Sequence, residues 1–470
     1  MSVLTPPEAG RRNRRWLGLA VIAAAQFMVI MDTSIIGVAL PEMQRDLGFT
    51  PENLSWVFNA YVVAFGGLLL LGGKVSDVLG ARTVFAAGWV VLAAGSLVAA
   101  VAGNVEVELA GRAVQGAGAA LVAPSALTLL MMLFGGNPRE LTRALALYGA
   151  AAPAGGTAGV FLGGVITEYL SWPWVFAINI PVALLVLALV PSSMPAGRSG
   201  TSRRVDVVGA VTVTAGLAAL VYAVVQAPEV GWGAARTWWV LGAGVLLVAV
   251  FVAQQARGRD PLVRLGILRA PDLAAANLAQ LLLGAAWIPM WFFLNLYLQQ
   301  VLGFTAFPSG AALLPMTLLI MVGMVVLAPR VLALLGVRTA TVTGLVLLAA
   351  GMAWLAMIDA DGSYAVDVLP ASLVAALGMS LAFIPTLGTA ISAAPPEEGG
   401  LASGIVNTSY QIGSALGLAV MTAIAAGAGA DRLGDVGALT EGYSAAFVGA
   451  AVVAAVGALA SAVLLRGRSS

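Results

Sequence analysis

Long apolar runs separated by short polar segments are the dominant pattern of this chain. A run of about 18 or more apolar residues is long enough to cross a bilayer as a helix. The pattern therefore predicts an all-α polytopic membrane protein with 14 transmembrane helices. The predicted spans are residues 16–39, 54–72, 83–103, 107–133, 142–166, 173–191, 206–226, 237–256, 273–298, 308–328, 339–358, 368–392, 401–426 and 443–465.

Two polar connections, residues 192–205 and 257–272, are longer than the others and isolate the seventh and eighth spans. This spacing predicts groups of six, two and six helices. The domains expected from it are an N-terminal six-helix bundle over 1–192, two additional helices with flanking cytoplasmic linkers over 193–272, and a C-terminal six-helix bundle over 273–470.

Basic residues are distributed unevenly between the two ends of the predicted spans. With the N-terminus inside, nineteen of the 23 Lys and Arg residues lie at cytoplasmic ends, three lie in outer loops, and the last is Arg112. The positive-inside rule then predicts that both termini are cytoplasmic. The Arg-rich residues 11–15 before an apolar run are also typical of a signal peptide. No clear small-residue cleavage site precedes Asp32, so we favour an uncleaved first helix.

Composition narrows the chemistry that the chain can perform. It is 60% hydrophobic and 10% charged, has a net charge of +1, and contains neither cysteine nor histidine. Disulfides and cysteine metal sites are excluded, and the net charge gives no argument for binding nucleic acid. Lys74, the single lysine, is not in a P-loop, so neither an enzyme nor an ATP-driven pump is indicated. A proton carrier within the membrane is then expected to be a carboxylate.

An internal repeat relates the two six-helix groups. Residues 74–88 and 330–344 both follow the second span of their group and open the third. The matching positions are Val75, Leu79, Gly80, Arg82, Thr83 and Gly88 with Val331, Leu335, Gly336, Arg338, Thr339 and Gly344. Two six-helix halves related by a parallel repeat are an architecture of secondary transporters.

Asp32 and Arg112 lie deep in spans that otherwise carry almost no charge. A charge at a helix centre costs about 2.5–3.5 kcal/mol on insertion scales, so such residues indicate function. At about 1.5 Å per residue, Asp32 lies about 10 Å and Arg112 about 8 Å from the same end of their helices, which allows contact. Two interpretations stay open: a static ion pair that fixes helix packing, and a site that loads and releases protons. Because a buried pair rarely stabilises more than apolar packing does, we favour the second.

Several segments carry motifs with a family likeness. Residues 31–41 read Met-Asp-Thr-Ser-Ile-Ile-Gly-Val-Ala-Leu-Pro, residues 73–82 read Gly-Lys-Val-Ser-Asp-Val-Leu-Gly-Ala-Arg, and residues 109–118 read Leu-Ala-Gly-Arg-Ala-Val-Gln-Gly-Ala-Gly. Together with segments 172–181 and 296–303 and a glycine-rich fifth span, they resemble the fourteen-helix drug:proton antiporter branch of the major facilitator superfamily. The sequence departs from the family pattern at Gly37, Val78, Ala81 and Val160.

The resemblance assigns roles to particular residues. It implies that Asp32 carries the proton and Arg112 tunes it. It implies a conformational gate in the loop after the second span, formed by Gly73, Asp77, Gly80 and Arg82. Asp77 is expected to dock near the start of the thirteenth span, around 400–403, where a helix N-terminus favours a carboxylate. The antiporter-motif glycines are expected to allow close helix packing or sliding, and they are Gly155, Gly159, Gly163 and Gly164.

The resemblance also implies that the first, second, fourth and fifth helices of each half line a substrate cavity. Polar and aromatic residues on those helices suit lipophilic, amphipathic organic molecules, although each aromatic alone is equally typical of a membrane-interface anchor. The cavity candidates are Gln26, Asn59, Tyr61, Gln115, Trp287, Trp291, Asn295, Asn407, Tyr410 and Gln411.

The function expected from these features is proton-coupled export of lipophilic drugs or antibiotics across the bacterial cytoplasmic membrane by alternating access. The expected partners are a small lipophilic substrate, protons and the lipid bilayer, with no nucleic acid, metal or cofactor, and the expected state is a monomer. A proton-coupled symporter or a uniporter for a small metabolite is the alternative, and a membrane receptor without transport activity is a weaker one.

Overall fold

The computed structural model describes residues 8–195, 206–258, 261, 266, 271–393 and 399–465 of the chain. Within these residues the secondary structure is helical, with no strand. The helices are α1 (Glu8–Leu47), α2 (Trp56–Leu79), α3 (Ala81–Ala100), α4 (Val105–Phe134), α5 (Pro138–Tyr169), α6 (Trp174–Ala177), α7 (Asn179–Ser193), α8 (Val207–Val230), α9 (Ala235–Arg257), α10 (Pro271–Leu296), α11 (Ala306–Val322), α12 (Ala328–Leu355), α13 (Leu369–Ser392), α14 (Gly399–Ala425) and α15 (Val436–Leu464).

The number of membrane crossings follows from the lengths of these helices. Among the described residues, 13 continuous helical segments are long and apolar enough to span a bilayer, and one of them, Ala306–Leu355, has 50 residues. A helix of that length would extend about 75 Å, more than twice the thickness of a bilayer core. It is interrupted at Gly336, whose φ of 75° is non-helical. The segment therefore supplies two crossings, and the count agrees with the predicted fourteen.

Two glycines at equivalent positions of the repeat interrupt the helices in the same way. Gly80 has a φ of 92° and separates α2 from α3, and Gly336 has a φ of 75° at the corresponding place in the second half. Positive φ is readily adopted by glycine because it lacks Cβ. The repeat seen in the sequence is thus a repeat in backbone conformation.

Helix pairing repeats as well. In the N-half (α1–α7), α1 packs against α5, and α4 packs against α2 and α3. In the C-half (α10–α15), α10 packs against α14, and α13 packs against α11 and α12. The two halves therefore have the same internal arrangement.

The additional helices α8 and α9 lie beside the seam between the halves. Helix α8 packs on both α2 and α14, and a Cβ on Gly67 of α2 would lie 3.0 Å from the Thr214 Cα of α8. Helix α9 packs mainly on α8 and directs large side chains such as Trp239 outward. Residues 196–205 and most of 259–270 lie outside the described residues, so the predicted domain boundaries near 192 and 272 stay predictions.

The two halves are joined by hydrogen bonds at one end of the bundle. We call it the 1–2 loop end, because it carries residues 48–55 between α1 and α2. There Gln299 Nε2 donates to the Val38 carbonyl at 3.0 Å, and Gln300 Nε2 donates to Gln44 Oε1 at 2.9 Å. The Phe307 amide donates to Glu168 Oε2 at 3.3 Å. Toward the opposite end, the contact between α2 and α14 is apolar and places Leu70 against Gly404.

Candidate functional site

Five polar side chains from four helices form a buried cluster in the N-half, which we call the acid–arginine cluster: Asp32, Ser96, Arg112, Gln115 and Asn179. Arg112 Nη1 donates to Asp32 Oδ2 at 2.8 Å. Asp32 Oδ1 also accepts from Asn179 Nδ2 at 2.6 Å and from Gln115 Nε2 at 3.1 Å. Asp32 is 1% exposed and Arg112 is 0% exposed. The cluster is therefore a desolvated ion pair whose carboxylate accepts three hydrogen bonds.

The helices place these side chains by spacing and by close approach. Arg112 and Gln115 are three residues apart on α4 and share one face. Gly95 and Gly111 bring α3 and α4 together, because a Cβ on Gly111 would lie 2.7 Å from the Ala99 amide nitrogen. At that separation, Gln115 Nε2 donates to Ser96 Oγ at 2.8 Å. Small residues at helix contacts thus bring the polar groups within hydrogen-bonding distance.

Arg112 is held on several sides. Its Nε donates to the Val57 carbonyl at 2.9 Å, and its Nη1 also donates to Gln115 Oε1 at 2.7 Å. The guanidinium carbon lies 4.5 Å from the ring centre of Tyr61, which is a cation–π distance. Its Nη2 is buried without a hydrogen-bond partner in the structure. The two N–H groups of Nη2 are therefore available for another acceptor.

The structure brings together the two charged residues that the sequence placed at similar depths. It also puts Gln115, a cavity candidate, inside the cluster, where it is 0% exposed and both its amide atoms are hydrogen-bonded. Sequence reasoning did not select Ser96 or Asn179. Asn179 had a detectable signal, since it is a polar residue in the motif segment 172–181 within an apolar span.

The other N-half cavity candidates lie in two places. Gln26 on α1 accepts a hydrogen bond of 2.9 Å from the Tyr148 hydroxyl on α5. Asn59 and Tyr61 on α2 are each 1% exposed, and the polar atoms of both side chains have no hydrogen-bond partner in the structure. The Tyr61 ring packs against the Arg112 guanidinium, so Tyr61 lies beside the acid–arginine cluster.

In the C-half, Trp287 and Trp291 on α10 form a tilted pair with ring centres 6.4 Å apart. Asn295, one turn further, donates to the Trp291 carbonyl at 2.8 Å. Asn295 and Trp291 face α1 across the interface between the halves, because a Cβ on Gly37 would lie 2.9 Å from Asn295 Nδ2 and 3.2 Å from Trp291 Nε1. The departure from the family pattern at Gly37 thus makes room for Asn295.

The three candidates on α14 contact different neighbours. The Tyr410 ring meets Phe383 of α13 at 5.6 Å, and a Cβ on Gly66 of α2 would lie 2.8 Å from Gln411 Cβ. Asn407 lies one turn before Gln411 and is partly buried. The ten candidates are therefore spread over several groups, and their assignment to one cavity stays a prediction.

The antiporter-motif glycines face two different surfaces. Gly155, Gly159 and Gly163 lie against the α1 backbone, and a Cβ on Gly159 would lie 2.8 Å from the Met31 carbonyl oxygen. Gly164 faces the other half, where a Cβ would lie 2.9 Å from the Ala306 carbonyl oxygen. Three of the four glycines thus pack within the N-half, and one lies on the interface between the halves.

The gate residues are only partly described. Gly80 has a positive φ, and α2 ends there. Gly73 faces Pro124 of α4, and a Cβ on Gly73 would lie 3.7 Å from the Pro124 Cβ, which is an ordinary van der Waals distance. Arg82 is partly buried at the start of α3. The side chain of Asp77 lies outside the described residues, as do those of residues 399–401 and 403, so its docking to α14 stays a prediction.

Among the residues that the structure describes, no three Asp or Glu side chains are close enough together to hold a metal ion.

Comparisons with known proteins give a consistent result. The model of the Major Facilitator Superfamily matches residues 22–418. The chain is 39% identical over 441 residues to the cephamycin export protein CmcT of Amycolatopsis lactamdurans, covering 92% of this chain and 89% of the relative. It is 38% identical over 437 residues to the puromycin resistance protein pur8 of Streptomyces alboniger, covering 91% and 85%.

A solved structure shares the fold at much lower identity. The nucleoside transporter NupG superimposes with a TM-score of 0.67 at 14% identity, covering 95% of this chain and 99% of that one. At this identity the likeness concerns the fold alone.

Proposed function

The chain belongs to the Major Facilitator Superfamily, and from this membership we propose that it exports lipophilic drugs or antibiotics across the bacterial cytoplasmic membrane in exchange for protons. Its relatives named above are an export protein for cephamycin and a resistance protein for puromycin. The helical architecture and the relatives support a multi-pass transporter rather than an enzyme. We extend this to a protein with both termini in the cytoplasm that acts as a monomer without a cofactor.

The observation that carries the proposed proton coupling is the buried Asp32–Arg112 pair. Asp32 is an acid in the middle of a membrane helix, and it accepts hydrogen bonds from side chains of two other helices, α4 and α7. Ser96 of α3 joins the cluster by accepting from Gln115 and Asn179. Protonation of Asp32 would replace an ion pair with a neutral acid beside a guanidinium. That change alters the attraction between α1 and α4, so proton binding and helix position are coupled.

Alternating access gives the cross-half hydrogen bonds a role in this proposal. With the predicted topology, the 1–2 loop end faces outward, and the bonds of Gln299, Gln300 and Glu168 close it. The described conformation would then be one in which the outward end is closed. The outward-facing state requires these bonds to break, and the proposed Asp77 latch at the opposite end would form in that state.

The proposed substrate surface combines aromatic and amide groups. Trp287 and Trp291 offer ring faces next to the α1 interface, and the Gln26–Tyr148 pair offers a polar contact on the N-half. Such a set binds amphipathic organic molecules through apolar contact and a few hydrogen bonds. Because the pairs lie on different halves, a substrate between them would be exposed to either side as the halves move.

Transport in proteoliposomes with an imposed pH gradient tests this function. The purified protein is reconstituted, and uptake or release of puromycin and of a cephamycin is measured together with lumenal pH. Antiport predicts substrate movement against the proton flow and substrate-dependent proton release. Co-directional movement of substrate and protons would instead identify a symporter, and substrate movement without any proton flux would identify a uniporter.

A growth-inhibition panel defines the substrate class. A susceptible bacterial host expressing the chain should tolerate higher concentrations of exported compounds than a host expressing Asp32→Asn. Equal tolerance across a panel of lipophilic antibiotics would contradict the export proposal.

A further inference from the structure

Glu108 is a buried acid that the mechanism above does not use. It lies on α4 within the membrane span, is 0% exposed, and neither of its carboxyl oxygens has a hydrogen-bond partner in the structure. Its neighbour Glu106, two residues earlier at the helix start, is exposed. An ionised carboxylate buried without a donor is very costly, so Glu108 is expected to be a neutral acid in this conformation.

Glu108 lies one helical turn from Arg112 on the same face of α4. Residues four apart on a helix are neighbours, at about 5–6 Å between Cβ atoms. Arg112 Nη2 is also buried without a partner. An acid without a donor and a guanidinium donor without an acceptor therefore lie next to each other, while Arg112 Nη1 is engaged with Asp32.

We propose that Glu108 is a second proton-carrying acid and that it alternates with Asp32 as the counter-ion of Arg112. In the described state Asp32 is the carboxylate and Glu108 holds the proton. In the alternate state the O–H bond of Glu108 is broken, an O–H bond is formed on Asp32, and Arg112 pairs with Glu108 through Nη2. One proton changes carboxyl groups, and the net charge of the three residues is zero before and after.

The surroundings leave few other groups to take part. On α3 and α7 the sequence has no titratable residue near this level, since the single charged residue of either helix is Arg82 at the far end of α3. On α1 the facing titratable group is Asp32, and on α2 it is the Tyr61 hydroxyl, which has no hydrogen-bond partner in the structure. Glu108 is nearer than Arg112 to the start of α4 at the 1–2 loop end, so it lies between that end and Asp32.

Infrared spectroscopy of purified protein in lipid separates this exchange from a static buried acid. Glutamate labelled with ¹³C at the side-chain carboxyl identifies neutral glutamic acid by the isotope shift of its C=O stretch. Wild type should show this band at neutral pH, Glu108→Gln should lose it, and Glu106→Gln should retain it. In Asp32→Asn the band should disappear, because Arg112 loses its first counter-ion and ionised Glu108 replaces it.

A labelled band that persists in Asp32→Asn would overturn the proposal, and so would the absence of the band in wild type. The Asp32→Asn comparison needs no Glu108 variant, so it holds even where Glu108→Gln fails to fold.

The role of Glu108 in transport rests on the proposed drug:proton antiport. A transport measurement therefore tests whether the counter-ion exchange at Arg112 contributes to antiport. Glu108→Gln should lower proton-driven efflux at least about tenfold, which corresponds to about 1.4 kcal/mol, while substrate counterflow without a proton gradient continues. Wild-type proton-driven efflux in Glu108→Gln would contradict the role in transport. If wild type moves substrate without protons, the proposed antiport fails, whereas the infrared result still decides whether Arg112 exchanges counter-ions.

Discussion

Arg112 Nη1 lies 2.8 Å from Asp32 Oδ2 in a part of the N-half where both side chains are at most 1% exposed. This ion pair joins α4 to α1 across 80 residues of sequence. A pair so completely desolvated is strongly affected by the loss of either charge.

The substitution Asp32→Asn is expected to abolish proton-driven efflux. Asparagine keeps the size of the side chain, but its amide replaces the carboxylate that would take up a proton. The substitution also breaks the Asp32–Arg112 pair, so a lower unfolding temperature is expected. The loss should be smaller than the about 3–5 kcal/mol typical of a buried charge left unpaired, because Glu108 is proposed to replace Asp32 as the counter-ion. Efflux in proteoliposomes and thermal unfolding in detergent measure the two effects.

The matched control is Asp46→Asn on the same helix. Asp46 is exposed and accepts a hydrogen bond of 2.8 Å from Trp172 Nε1, so its loss should leave efflux near the wild-type rate. Efflux by Asp32→Asn that responds to a pH gradient as wild type does would rule out Asp32 as the proton carrier.

Asn179→Ala tests a donor that the sequence did not single out. Its Nδ2 donates to Asp32 Oδ1 at 2.6 Å, and a hydrogen bond to a charged group contributes about 1.5–3 kcal/mol. If that free energy contributes to proton coupling, proton-driven efflux should fall about 10- to 150-fold. Gln254→Ala removes a similar amide–carboxylate bond to Asp206 in the α8–α9 hairpin and should change efflux little. Equal effects of the two substitutions would mean that Asn179 has only a structural role.

Gly159→Ala and Gly156→Ala compare a glycine in close contact with α1 and a nearby glycine of α5 that has room for a side chain. A Cβ on Gly159 would lie 2.8 Å from the Met31 carbonyl oxygen, whereas a Cβ on Gly156 meets its nearest atom, Ser34 Oγ, at 3.7 Å. Overpacking a well-packed helix contact costs about 1–3 kcal/mol. Thermal unfolding in detergent should therefore show a loss of stability for Gly159→Ala only. Equal stability of both variants would indicate that α5 can move away from α1 without cost.

Trp291→Ala examines the proposed substrate surface. The residue is 7% exposed, forms a tilted ring pair with Trp287 and lies at the α1 interface, so its loss should lower drug tolerance of the host and weaken drug binding. Trp239→Ala on α9 is the control, because that side chain is 78% exposed on the outside of the bundle. Tolerance unchanged in Trp291→Ala, or lowered equally in both variants, would place the substrate elsewhere.

Much of this arrangement could be predicted because membrane helices are long and apolar. Span positions, the repeat at Gly80 and Gly336, and the common depth of Asp32 and Arg112 all follow from hydropathy, spacing and rise per residue. What the sequence did not provide is the rotation of each helix about its axis. That rotation decides that Gln115 faces Asp32, and that Asn179 and Ser96 join it from helices α7 and α3.

The same limitation explains the scattered cavity candidates. Polar residues on pore-lining helices can point into a cavity, toward a neighbouring helix, or into the core of their own half. Asn59 and Tyr61, which are 1% exposed, occupy the core of the N-half, whereas Asn295 contacts the interface with α1. Helix membership is readable from sequence, but side-chain direction depends on glycines of partner helices such as Gly37 and Gly66.

The bonds of Gln300 at the 1–2 loop end predict a shift between conformations. Its Nε2 donates to Gln44 on the N-half at 2.9 Å, and its Oε1 accepts from the Tyr443 hydroxyl at 2.5 Å. The bond to Gln44 joins the two halves at this end, and the Tyr443 bond orients the Gln300 amide within the C-half. Gln300→Ala should therefore favour the state that is open at the 1–2 loop end. A net hydrogen-bond contribution of about 0.5–1.5 kcal/mol corresponds to a change of about 2- to 12-fold in the population ratio.

Pulsed electron–electron double resonance measures this opening as the distance between two spin labels. The labels are attached to cysteines introduced together by Gly103→Cys and Thr305→Cys. Both positions are exposed at the 1–2 loop end, one on each half, and labelling is specific because the chain has no native cysteine. The control is Gln226→Ala, whose side chain donates at 2.8 Å to Asn53 at the same end but does not join the two halves. Longer distances should gain population in Gln300→Ala and not in the control. Identical distance distributions in Gln300→Ala and wild type would show that the cross-half bond does not hold this end closed.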